Sequence, residues 1–404
     1  IATGCAEADV TIARTSESSQ VQCTPVEPHI VYCRMDGERL VIHGSTQVPY
    51  HVRRIIARIL GVKENRIRVI KERVGGGFGS KQDMVLEEVA AWATWATGRD
   101  VLYRYTREEE FVNSRTRKTM KMRVKLGAKK DGKLTAMQMD LEADTGPFGS
   151  PCLTVPMNAC SKSLPLFLCD NVRFDVHTYY SNLSPSGAYQ GYGGPKGSFA
   201  VQLAAAEMAD KLGMDPLEFI EKNRVREGVM LEILRCLGEG REGTPQVVHT
   251  CGLGPALEQG KKLINWGVKE PSGDPDVKIG HGVAIIQQGS GLPLLDAANA
   301  AISQLGDGTF MLLSGGTDLG TGLDTVTVKL AAETLMVPME NVGVMAADTD
   351  ATPFDVGAYA SSGTYFSGGA ALNAALKMKK LLIKEAAEML QEPENNLALA
   401  WPGV

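Results

Sequence analysis

The sequence holds no Cys-x-x-Cys pair, and its six histidines form no His-x-His or His-x-x-x-His grouping. Zinc and iron–sulfur sites need ligands at such spacings, so neither is expected within this chain. The eight cysteines (Cys5, Cys23, Cys33, Cys152, Cys160, Cys169, Cys236 and Cys251) fall at irregular intervals. They read as small buried hydrophobes in a reduced, cytoplasmic setting, not as a disulfide framework. No apolar run reaches the roughly 18 residues that a membrane span requires, and Ile1 opens no recognisable signal peptide. An excess of positive charge is missing too: 42 Lys and Arg against 47 Asp and Glu leave −5, which argues against a nucleic-acid partner.

What remains is a glycine-rich globular chain. Its 404 residues, 44% hydrophobic and with 44 glycines, can bury a large core and are long enough for two or three domains. Gly238, Gly240 and Gly243 precede Cys251-Gly252-Leu253-Gly254, so the expected division is 1–250 and 251–404.

Glycine is densest at 75–79, where four of five residues are glycine, between a strand-like stretch at 66–70 and a helix-like one at 82–97. Alone, such a run is compatible with a tight turn. At the head of a helix its N–H groups can also face an anionic or electron-rich ligand. Upstream, Asp36-Gly37 joins two strands within 31–42, and a helix is expected over 48–60 with Gly61 as its stop. Gln47 therefore stands between a strand end and a helix start, where an amide either caps the chain or meets a ligand. The helix at 82–97 offers Val85, Val89, Trp92 and Trp95 to a core. Alternation over 115–130 gives a half-buried strand with a basic outer face, and Asp131-Gly132 turns it into another at 134–141. A helix is expected over 195–212 and a second from Pro216. Later strands are expected at 282–286, 297–302 and 309–313, and later helices from about Leu323 and over 367–390.

Gly44-Ser45-Thr46-Gln47, a helix, a strand and then Gly75-Gly76-Gly77-Phe78-Gly79-Ser80-Lys81 resemble the start of the molybdenum-binding region in the xanthine oxidase family of molybdenum hydroxylases. Further stretches extend the resemblance in order: Ala143-Asp144-Thr145-Gly146, the loop from Ser186 to Pro195, Gly315-Gly316-Thr317-Asp318-Leu319-Gly320-Thr321-Gly322, and the loop from Asp348 to Thr364. The implied fold is α+β, with two large mixed α/β domains and the cofactor between them. The implied cofactor is molybdopterin, alone or as its cytosine dinucleotide, with molybdenum carrying oxo and sulfido or selenido ligands. The metal is held by pterin sulfurs, so no protein ligand to it is expected.

The resemblance also implies roles for individual residues. Gln47 would donate its amide to the apical oxygen on molybdenum, as suits a neutral donor that does not titrate. Gly76, Gly77, Phe78 and Gly79 would pack beside metal and pterin, and Gly320, Gly322, Ala360, Ser361 and Thr364 would line the pterin. Tyr189, Gln190 and Tyr192 would lie over cofactor and substrate, Phe78 and the two tyrosines shaping the pocket. Four positions depart from the family pattern. Gln190 replaces an arginine, Thr321 a glutamine, Gln82 a glutamate of many xanthine-oxidising members, and no arginine lies between Gly146 and Asn171.

The implied activity is hydroxylation of an aromatic N-heterocycle such as a purine or nicotinate, with oxygen from water. An aldehyde substrate is the enzyme alternative, and a cofactor-free structural or assembly subunit is the alternative of another class. The family's general base, a glutamate in a late Gly-Glu motif, is not matched here. A companion chain or further sequence is therefore expected to supply it, and partner chains to carry 2Fe-2S clusters and FAD.

Overall fold

The computed structural model describes residues 1–149, 151–237, 242–268, 272–292 and 295–401. Gly238 and Gly240 lie outside the described residues. The chain forms two compact units, each built from separated segments: residues 1–21 with 117–288, and residues 22–116 with 289–404. The helix Leu253–Leu263 belongs to the first.

The first unit is a four-stranded sheet under helices. Its order is Val10–Ser18, Met120–Ala128, Leu134–Asp144, Val172–Tyr179; the first two pairings are antiparallel and the last parallel. The alternation seen over 115–130 is realised in Met120–Ala128. Met120, Met122, Val124 and Leu126 are buried, whereas Lys121 and Arg123 face outward. Onto the buried face packs the helix Gly194–Leu212, through Ala200, Val201, Ala204, Ala205 and Met208. Small side chains allow a close approach, and at Gly197 it is closest. An added Cβ there would stand 1.9 Å from the Ala159 carbonyl oxygen on the helix Thr154–Ser161.

The second unit carries two sheets. In one, Ile67–Lys71 pairs parallel with Arg39–Gly44, which pairs antiparallel with Ile30–Asp36, followed by Val101–Arg104. In the other, Ala300–Gln304 is antiparallel to Phe310–Ser314, which is parallel to Val342–Ala346. Each parallel pair is joined by a helix, Pro49–Leu60 in the first sheet and Leu323–Leu335 in the second. These are two strand–helix–strand crossovers, and the loops leaving the carboxyl ends of such strands are where α/β sheets bind ligands. Four stretches singled out in the sequence leave those ends: Ser45–Gln47 follows Arg39–Gly44, the 75–79 glycines follow Ile67–Lys71, 315–322 follows Phe310–Ser314, and 348–361 follows Val342–Ala346.

Several expectations need correction. The helix expected from 82 begins at Glu87, whose carboxylate reaches back to accept the N–H groups of Val85 and Leu86 at 3.0 and 3.1 Å and holds them outside the helix. Its buried face is Ala90, Ala91 and Thr94, small enough to lie on the sheet, whereas Val89 and Trp92 are exposed at 54% and 61%. The last helix starts at Gly363, not 367, and the strand expected over 297–302 is Ala300–Gln304. The 282–286 stretch is not a strand, for it has no ladder partner among the described residues.

Gly197→Ala is expected to lower unfolding free energy in urea by roughly 1–3 kcal/mol, because backbone must move to admit the methyl. Gly369→Ala lies inside the helix Gly363–Leu390 with nothing within 4 Å of the added Cβ, and should raise stability by about 0.5–1 kcal/mol. Equal effects of the two would contradict the packing described.

Candidate functional site

Gln47 is 3% exposed, and all of its polar groups are used within the second unit. Its side-chain carbonyl accepts Gly79 N–H at 2.9 Å, and its amide donates to the Ala358 carbonyl at 2.6 Å. Its backbone N–H donates to Lys81 O, and its backbone carbonyl accepts Ala358 N–H, both at 2.9 Å. One side chain thus ties the glycine run to the 348–361 loop. An amide nitrogen has two hydrogens, and only one is taken.

The glycines fit around this amide. A Cβ at Gly77 would stand 2.6 Å from Gln47 Oε1, and one at Gly357, where φ is +108°, would stand 2.5 Å from Gln47 O. Phe78 is held at φ +54°, a conformation that costs a side chain on the order of 1 kcal/mol, and is 44% exposed. Ala360 and Ser361 share that left-handed backbone at φ +50° and +55°. Strain of this kind persists only where surrounding bonds fix the chain. Here Arg68 grips Asp348 with two bonds of 3.1 and 2.6 Å, and Tyr50 Oη donates to the Thr352 carbonyl at 2.6 Å.

Buried charge underlies the glycine run. Lys81, 1% exposed, donates to Glu27 Oε2 at 2.6 Å and to Ser45 Oγ at 2.9 Å, while Gly75 N–H donates to the same carboxylate at 2.9 Å. Burial alone would raise the Glu27 carboxyl, but hydrogen bonds from Lys81, Ser45 and Gly75 outweigh it and hold it below the usual range. Burial pulls the Lys81 ammonium down, and Glu27 only partly restores it. Beside this pair His29, 2% exposed, sets Nδ1 at 2.9 Å from Glu110 and Nε2 at 3.2 Å from the Ser80 carbonyl. Both ring nitrogens thus face oxygen atoms, and the ring bridges Glu110 and the Ser80 carbonyl. Glu110 also accepts His29 N–H; burial would raise its carboxyl, yet the His29 bonds and charge leave it lowered.

In the 315–322 loop, Gly320 and Gly322 have φ of +92° and +82° and open space where a Cβ would be. Their N–H groups donate to Asp318 Oδ1 at 2.8 and 3.2 Å. Burial would raise Asp318, but these backbone bonds and that from Asp324 hold it down. Thr317, 1% exposed, has a buried hydroxyl with no partner. Thr364 is exposed on the first turn of Gly363–Leu390.

The first unit holds Tyr189, Gln190 and Tyr192. The Arg117 guanidinium lies 4.3 Å over the Tyr189 ring and donates to the Gln190 carbonyl at 2.8 Å; the Gln190 side chain is exposed. Tyr192 has φ +45° and its hydroxyl lies 2.8 Å from Thr154 Oγ1. Lys196, on the first turn of the following helix, is 6% exposed and donates to the Ser19 and Lys118 carbonyls; burial pushes its ammonium down to about 8.

The Gln47 amide therefore joins Gly79 of the glycine run to Ala358, in the loop that carries Ala360 and Ser361, and Gly320 and Gly322 lie on another loop of the same unit. Sequence reasoning missed Glu27, His29, Glu110 and Asp318. Only Asp318 left a trace, an Asp two residues before a glycine, the spacing of a side chain that accepts from its own loop. Among the described residues no group of three or more His, Cys, Asp or Glu is placed to hold a metal ion.

Lowering pH is expected to unfold this site through its carboxylates. Glu27 and Glu110 have folded-state values below their unfolded ones, so their contribution is present above the unfolded pKa, near 4.5, and is lost as pH falls through the folded one. Thermal melts should drop steeply below about pH 4, and Glu110→Gln should flatten that drop while lowering stability near neutrality. An unchanged acid limb in that variant would remove Glu110 from the account.

Residues 1–224 and 259–402 match two family models, each described as a molybdopterin cofactor-binding domain. The chain is 56% identical over 402 residues to the Escherichia coli K12 protein named "Probable hypoxanthine oxidase XdhD", covering 99% of this chain and 42% of that one. It is 34% identical to the "Xanthine dehydrogenase molybdenum-binding subunit" of Escherichia coli O157:H7, over 94% of this chain and 52% of that one. The solved aldehyde oxidoreductase from Desulfovibrio gigas superposes with a TM-score of 0.84 at 26% identity, over 97% of this chain and 43% of that one. The chain thus spans about half the length of the relatives it matches, and it belongs to the xanthine dehydrogenase-like family of molybdopterin cofactor-binding proteins.

Proposed function

We propose that this chain forms the molybdopterin-holding part of a hydroxylase that acts on an aromatic N-heterocycle, most simply a purine. The carrying observation is the Gln47 amide, which is buried, neutral, fixed by Gly79 and Ala358, and left with one hydrogen to give. The unpartnered Thr317 hydroxyl at the base of the 315–322 loop is a second donor in search of an acceptor. Neutral donors and Cβ-free backbone fit a pterin and an oxo group held by hydrogen bonds.

When bound, the cofactor supplies the chemistry that inserts water-derived oxygen into a C–H bond and takes up two electrons. Gln47 would hold an oxygen of the cofactor through its free amide hydrogen, without titrating. Gly76, Gly77, Phe78 and Gly79 would let the chain approach the cofactor, while Gly320, Gly322, Ala360, Ser361 and Thr364 would frame the pterin and Gln190 would give it a neutral contact. Phe78 on the second unit, and Tyr189 and Tyr192 on the first, would each offer an aromatic face to a flat substrate. The general base, a glutamate, would come from a companion chain or from further sequence, and iron–sulfur and FAD subunits would receive the electrons. A reduced, cytoplasmic setting fits the seven described cysteines, all free thiols. No described helix is long and apolar enough to cross a membrane.

The names of the two Escherichia coli relatives support a purine. Gln82 and the missing arginine favour an aldehyde, as does the likeness to an aldehyde oxidoreductase. A scaffold without cofactor is favoured by one observation, that Asp318 already occupies the Gly320 and Gly322 N–H groups.

In the complete enzyme, dye reduction is expected with purines and to a lesser extent nicotinate; turnover of aldehydes alone would replace the substrate assignment. Gln47→Ala should lower kcat on the order of 100-fold. Gln47→Glu keeps the acceptor for Gly79 and should retain more of the pterin, read by fluorescence after oxidative release. A wild-type complex with neither molybdenum nor pterin would establish the scaffold instead.

A further inference from the structure

Residues 282–288 have the composition and alternation of a strand. Val283, Ile285 and Gln287 turn inward, while Ala284, Ile286 and Gln288 are exposed, with Ile286 at 70%. Ile285 is part of the first unit's core and Val283 packs against it. Yet the segment has no ladder. Among the described residues, the N–H and C=O groups of Val283, Ala284 and Ile286 make no hydrogen bond, and the only backbone bond is Ile285 N–H to Gln202 Oε1 at 3.2 Å. The other end of the Gln202 amide, on a side chain 8% exposed, has no acceptor.

Beside the segment runs an apolar groove of about 650 Å³, walled by the helix Gly194–Leu212 on one side and by residues 282–288 on the other. Phe199, 49% exposed, faces solvent next to it. No Lys, Arg, Asp, Glu or Pro lies within 282–288, so none of the usual devices that keep a bare strand from pairing is present.

We infer that residues 282–288 are an acceptor strand for β-addition, and that the groove takes alternate apolar side chains of the strand that pairs with it. Unpaired backbone donors and acceptors in a row specify an extended peptide rather than a small molecule, because main-chain bonds supply affinity and the groove supplies selectivity. The occupant is an extended segment of the polypeptide that makes up the rest of the relatives' length, since this chain accounts for only 42% and 52% of two of them. Joined or assembled polypeptide is present at an effective concentration on the order of millimolar, which a second copy of this chain does not reach. Gly191, Gly194 and Pro195 also line the groove, so the added strand would brace the loop that carries Tyr189 and Tyr192. The inference does not depend on which substrate is turned over.

The test uses the assembled protein with p-benzoyl-L-phenylalanine in place of Ile286. Irradiation and peptide mass spectrometry should give cross-links to one extended segment outside residues 1–404 that aligns with the uncovered part of the relatives. Amides of Val283, Ala284 and Ile286 should exchange with deuterium at least 100-fold more slowly in the assembly than in residues 1–404 alone. Ala284→Pro should abolish that difference, and Ile286→Lys, which leaves the backbone intact, should weaken it. Cross-links to residues 1–404 of a second copy would overturn the assignment in favour of self-association. Equal exchange in the two states, or cross-links to no polypeptide, would overturn strand addition itself.

Discussion

The second unit depends on what one buried side chain does to two loops far apart in sequence. Gln47 and Ala358 are separated by 311 positions and exchange two hydrogen bonds, the Gln47 amide donating to the Ala358 carbonyl and the Ala358 N–H donating to the Gln47 backbone carbonyl, while Gly79 N–H donates to the Gln47 side-chain carbonyl. Closing so long a loop costs entropy that no single hydrogen bond, worth about 1 kcal/mol net, repays. The repayment comes from the sheets beneath. Ile70 bridges Asp348, Lys71 N–H donates to Ala347 O, and Thr349 N–H donates to Val69 O, so the parallel strand of one sheet runs on into the loop leaving the other. Gln47 does not create the juxtaposition; it fixes its last ångström.

That fixing is why the glycines are where they are. A tight turn explains glycine at positive φ, but Gly77 is not at positive φ and would still be intolerant of a side chain, because Gln47 Oε1 fills the space. Phe78, by contrast, keeps its side chain despite a left-handed backbone. Strain is thus accepted at the residue that projects outward and avoided at the one that packs inward. The Lys81–Glu27 and His29–Glu110 pairs hold the floor of the same loop, through Gly75 and Ser80 respectively. Their burial makes them poor sources of net stability but strict conditions on geometry, since a lone partner would be left uncompensated.

Much of this was legible in the sequence, and the reasons differ by feature. Period-2 alternation found Met120–Ala128 because one face is core and the other solvent, and Asp-Gly turns located both hairpins. The glycine stop at Gly61 placed the end of Pro49–Leu60. The start of Glu87–Thr97 lies later than expected because the Glu87 side chain bonds back to the Val85 and Leu86 N–H groups, and in sequence that glutamate resembles ordinary helical charge. Trp92 shows a different limit: hydrophobicity states a preference for burial, while the small residues Ala90, Ala91 and Thr94 decide which face can approach the sheet. The polar floor was not legible at all. Glu27 and Lys81 lie 54 positions apart, and His29 and Glu110 lie 81 apart, so nothing in local pattern couples them.

The 282–286 stretch shows the same lesson from the other side. Its alternation is real, since Val283 and Ile285 do turn toward the core, so the reading of its local preference was sound. What failed was the step from preference to sheet, because a strand is defined by a neighbour and no described residue provides one. A helix closes its own hydrogen bonds and can be judged from one segment; a strand cannot. When strand-like sequence packs one face, leaves its backbone unpaired and carries no protecting charge, the economical explanation is a missing neighbour and not a defective strand.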